Sequence, residues 1–244
     1  MKIKNSELKI YHNSDTNLVT SAAIEAINDS LQRNKRNSIL FLVSGGSALP
    51  LLDEIKSDFL GPHITISVLD ERYSEDLSIN NFAQLIQTNF YQSALEKECE
   101  FIDTRPKDET LEELAERFDA SLKLWKKNNH QGVVIATQGI GPDGHTSGIM
   151  PFPEDPKAFH TLFEQEDIWV VGYDAGGKNQ YPLRVTTTIP FLRNQIDEAI
   201  IYAGGGNKRA ALENVFLNGQ LSETPARVIK EMKHISLFTT VMIQ

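Results

Sequence analysis

"ILFLVSGGSALP", residues 39–50, carries the signal that decides the fold. Ile39 to Val43 is five apolar residues without a break, and it stops abruptly at Ser44-Gly45-Gly46-Ser47. An alternating pattern would mark a strand with one wet face. A continuous run marks a strand covered on both faces, as in parallel sheets sandwiched by helices. Ala48 to Phe59 reads as a helix that follows at once. A strand that ends in paired glycines before a helix is either a tight turn with a serine cap or a cradle of backbone N–H groups for an anion.

Working outward, similar units recur. Strands are expected at 8–11, 64–69, 132–137, 168–171, 184–188, 199–202 and 235–240. Helices are expected at 16–33, 81–90, 109–127, 207–216 and 225–232. In the first helix Leu18, Ala22, Ile24, Ala26, Ile27 and Leu31 share one face in part. The alternation predicts an α/β fold, a mostly parallel Rossmann-like sheet with helices on both faces, in one domain over 1–244.

The 244 residues have 40% hydrophobic and 23% charged side chains, enough for a sizeable core. A net charge of −9 argues against a nucleic-acid or anionic-membrane partner, but not against an anionic small ligand met by a few local cations. Cys99 is the single cysteine, so no internal disulfide forms, which fits a reducing cytoplasm. Met1-Lys2-Ile3-Lys4-Asn5 leads into polar residues, so neither a signal peptide nor a membrane span is expected. The sequence does not report the oligomeric state, and a monomer is compatible with it.

In such a sheet, ligands bind beyond the carboxyl ends of the strands. Four unusual clusters fall there: Gly45-Gly46, Asp70-Glu71-Arg72, Gly139 to His145, and Gly204-Gly205-Gly206-Asn207-Lys208. Ser44 to Ser47 lacks the spacing of a nucleotide P-loop or a dinucleotide loop, yet its glycines allow close backbone approach to a phosphate. Asp70-Glu71-Arg72 is either a surface ion-pair cluster or a catalytic group at a strand tip. Asp143 and His145, two apart in a glycine-rich loop, can line one cavity, where a carboxylate raises the basicity of an imidazole. Arg184 and Lys208 supply cations on the same rim. No HExxH or Cys/His spacing is present, so neither a metal nor a cofactor is expected. No nucleophile elbow surrounds Ser44 or Ser47. Trp125-Lys126-Lys127 reads as the exposed end of a helix.

Together these motifs resemble the glucosamine-6-phosphate isomerase/6-phosphogluconolactonase family over most of the chain. Ser44-Gly45-Gly46-Ser47 is similar to its SGGS[TS] phosphate loop, Asp70-Glu71-Arg72 to DER, and Asn80-Asn81-Phe82 to SN[YF]. Gly139 to Pro151 is similar to GxGxDGHTASLFP, Arg184-Val185-Thr186 to R[IV]T, and Asn207-Lys208-Arg209-Ala210 to [NE]KxA. Leu49, Ser74-Glu75 and Ser147-Gly148-Ile149-Met150 depart from the pattern beside the polar groups.

The resemblance implies hydrolysis of 6-phospho-D-glucono-1,5-lactone, the second step of the oxidative pentose phosphate pathway. His145 would be the base, with Asp143 orienting it or holding the water. Arg72 would serve the oxyanion or the phosphate. Ser44, Gly45, Gly46, Ser47, Asp70, Asn81, Arg184 and Lys208 would hold the sugar phosphate. The amino-sugar deaminase branch usually carries DGHIAFNEP and DE[YF]; the loop here has no Asn-Glu pair, and Arg72 is present. That deaminase is the rival enzyme. A non-catalytic sugar-phosphate sensor is the rival from another class, with no helix-turn-helix extension seen to support it.

Overall fold

The computed structural model describes residues 7–243, and the side chain of Ser47 lies outside the described part. Met1 to Asn5, read above for the absence of a leader, also fall outside it.

Seven strands form one parallel sheet: β1 (Glu7–His12), β10 (His234–Thr239), β9 (Glu198–Ala203), β6 (Val133–Gly139), β2 (Ile39–Val43), β3 (Ile64–Val68) and β5 (Glu100–Phe101), in that spatial order. The apolar run of β2 does what its pattern predicts. Leu40 and Leu42 join one core, while Ile39, Phe41 and Val43 join the other. On the second face α1 (Thr16–Arg33) packs through Val19, Ala23, Ile27 and Leu31, strictly four apart. Leu18, placed on that face by the sequence reading, is exposed. On the first face α4 (Leu111–Asn128) packs through Leu114, Phe118, Leu122 and Trp125. Its start is fixed by a Thr110–Glu113 capping box. Trp125 is therefore not the exposed end of a helix: it is buried, and its Nε1 donates to Thr65 Oγ1 at 3.1 Å.

Two expectations fail for physical reasons. The segment after Gly45 is not an α-helix but a 3-10 helix over Gly46–Glu54, with Pro50 inside it. Pro50 has no N–H to bond back to residue 46, and its ring crowds the preceding turn. The strands expected near 168–171 and 184–188 exist as β7 (Val170–Asp174) and β8 (Leu183–Thr187), but they leave the parallel sheet. With β4 (Asp70–Arg72) they form a separate three-stranded antiparallel sheet, ordered β4-β8-β7. Helix 81–90 is two pieces, α2 (Asn81–Ile86) and α3 (Asn89–Glu96), because Thr88 ends one turn and caps the next. The C-terminal segment Pro225–Glu231 is likewise 3-10. No helix among the described residues is long and apolar enough to cross a membrane.

Candidate active site

β9, β6, β2 and β3 are neighbours and parallel, so their carboxyl ends meet on one edge of the sheet. A cleft of about 230 Å³ opens there. Ser44, Gly45, Gly46, Asp70, Arg72, Asn81, His145, Arg184 and Lys208 all line it. Apart from Asp143, each expected site residue whose side chain is described lines this cleft, and Asp143 meets the cleft-lining His145 at its Nδ1.

The small sheet explains how three of these groups come together. Arg72 and Arg184 are directly opposed in the β4–β8 ladder, as are Asp70 and Thr186. Side chains two apart on a strand share a face, so Asp70, Arg72, Arg184 and Thr186 point the same way. Glu71, between them, must point the other way, into the core. Arg184 Nη2 donates to Asp70 Oδ2 at 2.7 Å, and both are buried. Asp70 thus neutralises Arg184, while Arg72 beside it has no carboxylate partner among the described residues. Like charges directly opposed in a ladder repel, and an anion in the cleft would relieve that repulsion.

The other walls follow from local chemistry. Ser44 is tied to β6: its N–H donates to Thr137 Oγ1 and its Oγ to Thr137 O. Gly46 has φ +66°, a conformation that favours glycine, and a Cβ there would meet nothing within 4 Å. Its backbone borders open cleft. Asn81 donates through Nδ2 to Asp70 O at 2.9 Å, and its Oδ1 has no partner among the described residues. Lys208 forms no ion pair among the described residues, and burial pulls its ammonium below the usual lysine range. A bound anion would reverse that cost.

His145 Nδ1 lies 2.5 Å from Asp143 Oδ1. Burial pushes the Asp143 carboxyl up, but bonds and charge from His145 outweigh it and hold the group below its ordinary value. An ionised Asp143 keeps the proton of His145 on Nδ1 and leaves Nε2 as the acceptor. Thr146 Oγ1 donates to Gly139 O, which closes the loop back on β6.

Residues that the sequence reading did not place also build the site. Ser147 lines the cleft in a left-handed conformation, φ +51°. Tyr173 clasps the same loop: its hydroxyl donates to Gly148 O at 2.6 Å and accepts from Met150 N at 3.2 Å. Glu71 is fully buried and accepts from the N–H groups of Arg72, Asn81 and Phe82 and from Thr104 Oγ1. It binds β4 to the start of α2, and so fixes Arg72 relative to Asn81. Strand alternation at 70–72 is the signal that would have found it.

Burial pushes the Glu71 carboxyl up to about 7, against the bonds it accepts. Its folded value thus exceeds its unfolded one. The contribution is most favourable below about pH 4.5 and is lost as pH rises through about 7. Between pH 5 and 8 the wild type should lose on the order of 2–3 kcal/mol more stability than Glu71→Gln, which cannot ionise. Urea unfolding of both at the two pH values tests this; parallel shifts would contradict it.

The model of the family "Glucosamine-6-phosphate isomerases/6-phosphogluconolactonase" matches residues 14–239. The chain belongs to this family. A relative described as a probable 6-phosphogluconolactonase of Dictyostelium discoideum is 25% identical over 223 residues, covering 87% of each chain. The 6-phosphogluconolactonase structure from Shewanella baltica superposes with a TM-score of 0.74 at 20% identity, over 97% of this chain and 98% of that one. That from Trypanosoma cruzi gives 0.73 at 16% identity, over 98% and 96%. These likenesses establish the fold of the family member described here.

Proposed function

We propose that the chain hydrolyses 6-phospho-D-glucono-1,5-lactone to 6-phosphogluconate. The observation that carries this reading is the Asp143–His145 pair in the same cleft wall system as three cations, Arg72, Arg184 and Lys208. A base with a free Nε2 and a pocket for a dianion are what a phosphorylated lactone needs. The relative from Dictyostelium supports the same substrate class.

A lactone is an activated ester, so no covalent intermediate is required. His145 Nε2 takes a proton from water as the oxygen attacks C1, and returns it to the ring oxygen when the C1–O bond breaks. Asp143 orients the ring and stabilises the imidazolium. The register that sets Arg72 beside Arg184 favours both on the phosphate, with Lys208 and the Gly45-Gly46 backbone completing its cradle. The oxyanion at C1 forms in the field of the same cations. Phosphate binding holds the carbonyl carbon near the base.

Hydrolysis followed by pH-stat, with the spontaneous rate subtracted, tests the reading. Ammonia release from glucosamine 6-phosphate without lactone hydrolysis would favour the deaminase instead. Lys208→Ala should raise KM about tenfold or more with a smaller change in kcat, and inorganic phosphate should compete with substrate. Arg184→Ala should do the same and also destabilise the fold, because it strands Asp70 as a buried charge. An unchanged KM in Lys208→Ala, with no competition by phosphate, would remove the cradle.

A further inference from the structure

We propose that Tyr181 is a positioning residue for Arg72, holding its guanidinium over the cleft by the face of its ring. The proposal rests on the lactonase reading of the cleft.

Arg72 is the cleft guanidinium with the least to hold it. Arg184 is clamped by Asp70 at 2.7 Å. Arg72 has no ion pair among the described residues, its Nε has no hydrogen-bond partner, and Nη1 reaches Ile79 O only at 3.4 Å. That distance is long for an N–H···O bond. Meanwhile Arg184 sits opposite it in the ladder and repels it. A flexible side chain in that position should swing away from Arg184 toward solvent.

What opposes this is aromatic. The Arg72 guanidinium carbon lies 5.2 Å from the centroid of the Tyr181 ring, within the range of a cation–π contact. The backbone that carries the ring is held in place. Tyr181 N donates to Asn179 Oδ1 at 3.0 Å, and Ala175 N donates to Pro182 O at 2.8 Å, closing the β7–β8 connection. Tyr73 N donates to Leu183 O at 3.0 Å, so the chain beside Arg72 runs alongside the one that carries the ring. The Tyr181 hydroxyl makes no hydrogen bond among the described residues, so Arg72 meets the ring and not the hydroxyl.

The test is a double-mutant cycle. Tyr181→Phe and Tyr181→Leu are each made in the wild type and in Arg72→Ala, and kcat/KM for lactone hydrolysis is measured. Tyr181→Phe keeps the aromatic face and should stay within about twofold of wild type. Tyr181→Leu keeps apolar bulk but not the ring electrons, and should lose about three- to tenfold, chiefly through KM. In the Arg72→Ala background Tyr181→Leu should change nothing further. Full activity in Tyr181→Leu, or an equal loss in both backgrounds, would overturn the proposal, the latter by showing that Tyr181 only shapes the loop. If the wild type fails to hydrolyse the lactone, the lactonase reading falls. The same cycle is then read from protection against thermal unfolding by inorganic phosphate. There, protection that Arg72→Ala weakens and Tyr181→Leu does not would overturn the positioning role by itself.

Discussion

His145→Ala should lower kcat by about 10²–10⁴-fold and leave the unfolding transition close to that of the wild type. The imidazole is part-exposed at the cleft, and among the described residues its one side-chain hydrogen bond is to Asp143. Removing it breaks no buried network. Asp143 keeps the bond from the His145 main-chain N–H at 3.1 Å, so the loop should stay closed. KM should change little, because the phosphate is held by other groups. Asp143→Asn should cost less than His145→Ala, since it alters the orientation and basicity of the ring without deleting the base. A loss below about tenfold in a folded His145→Ala variant would take the base role from this residue.

The parallel sheet was legible because burial on two faces writes itself as an unbroken apolar run, as in Ile39 to Val43. The strand tips were legible because glycines and charges seldom collect on one sheet edge without a ligand. The antiparallel sheet was hidden for the opposite reason. Asp70-Glu71-Arg72 has no apolar residue, and pairing with β8 is a long-range event that local propensity does not encode. The sequence reading therefore set Asp70 and Arg72 at a strand tip and missed that Arg72 and Arg184 face each other. The Gly46–Glu54 segment was misread because its leucines suit an α-helix, and Pro50 was weighed too lightly. Asp143 and His145 were legible as a pair because a spacing of two in a short loop keeps both side chains within reach of each other, and the two meet at 2.5 Å.

Gly141→Ala should abolish most turnover although it adds only a methyl group. A Cβ at Gly141 would overlap the His145 imidazole and come within 2.6 Å of Asp143 Oδ1. The backbone has little freedom to retreat. Gly141 N donates to His145 O at 2.9 Å, and Gly144 N donates to Gly141 O at 3.0 Å, so the residue sits inside the turn that carries the dyad. Gly141 does not have positive φ, so alanine suits its backbone and any loss comes from the contact. The ring is the part that can move, and moving it parts Nδ1 from Asp143 and takes Nε2 away from the water. The expected result is a fall in kcat of about 10²-fold or more, with KM near wild type and about 1–3 kcal/mol of stability lost to overpacking. The decisive comparison is the double variant. In His145→Ala the methyl has room, so Gly141→Ala/His145→Ala should match His145→Ala in residual activity and recover most of the lost stability. Equal destabilisation by Gly141→Ala with and without the imidazole would show that the glycine serves the turn and not the ring. In that case its place against His145 would have no catalytic meaning.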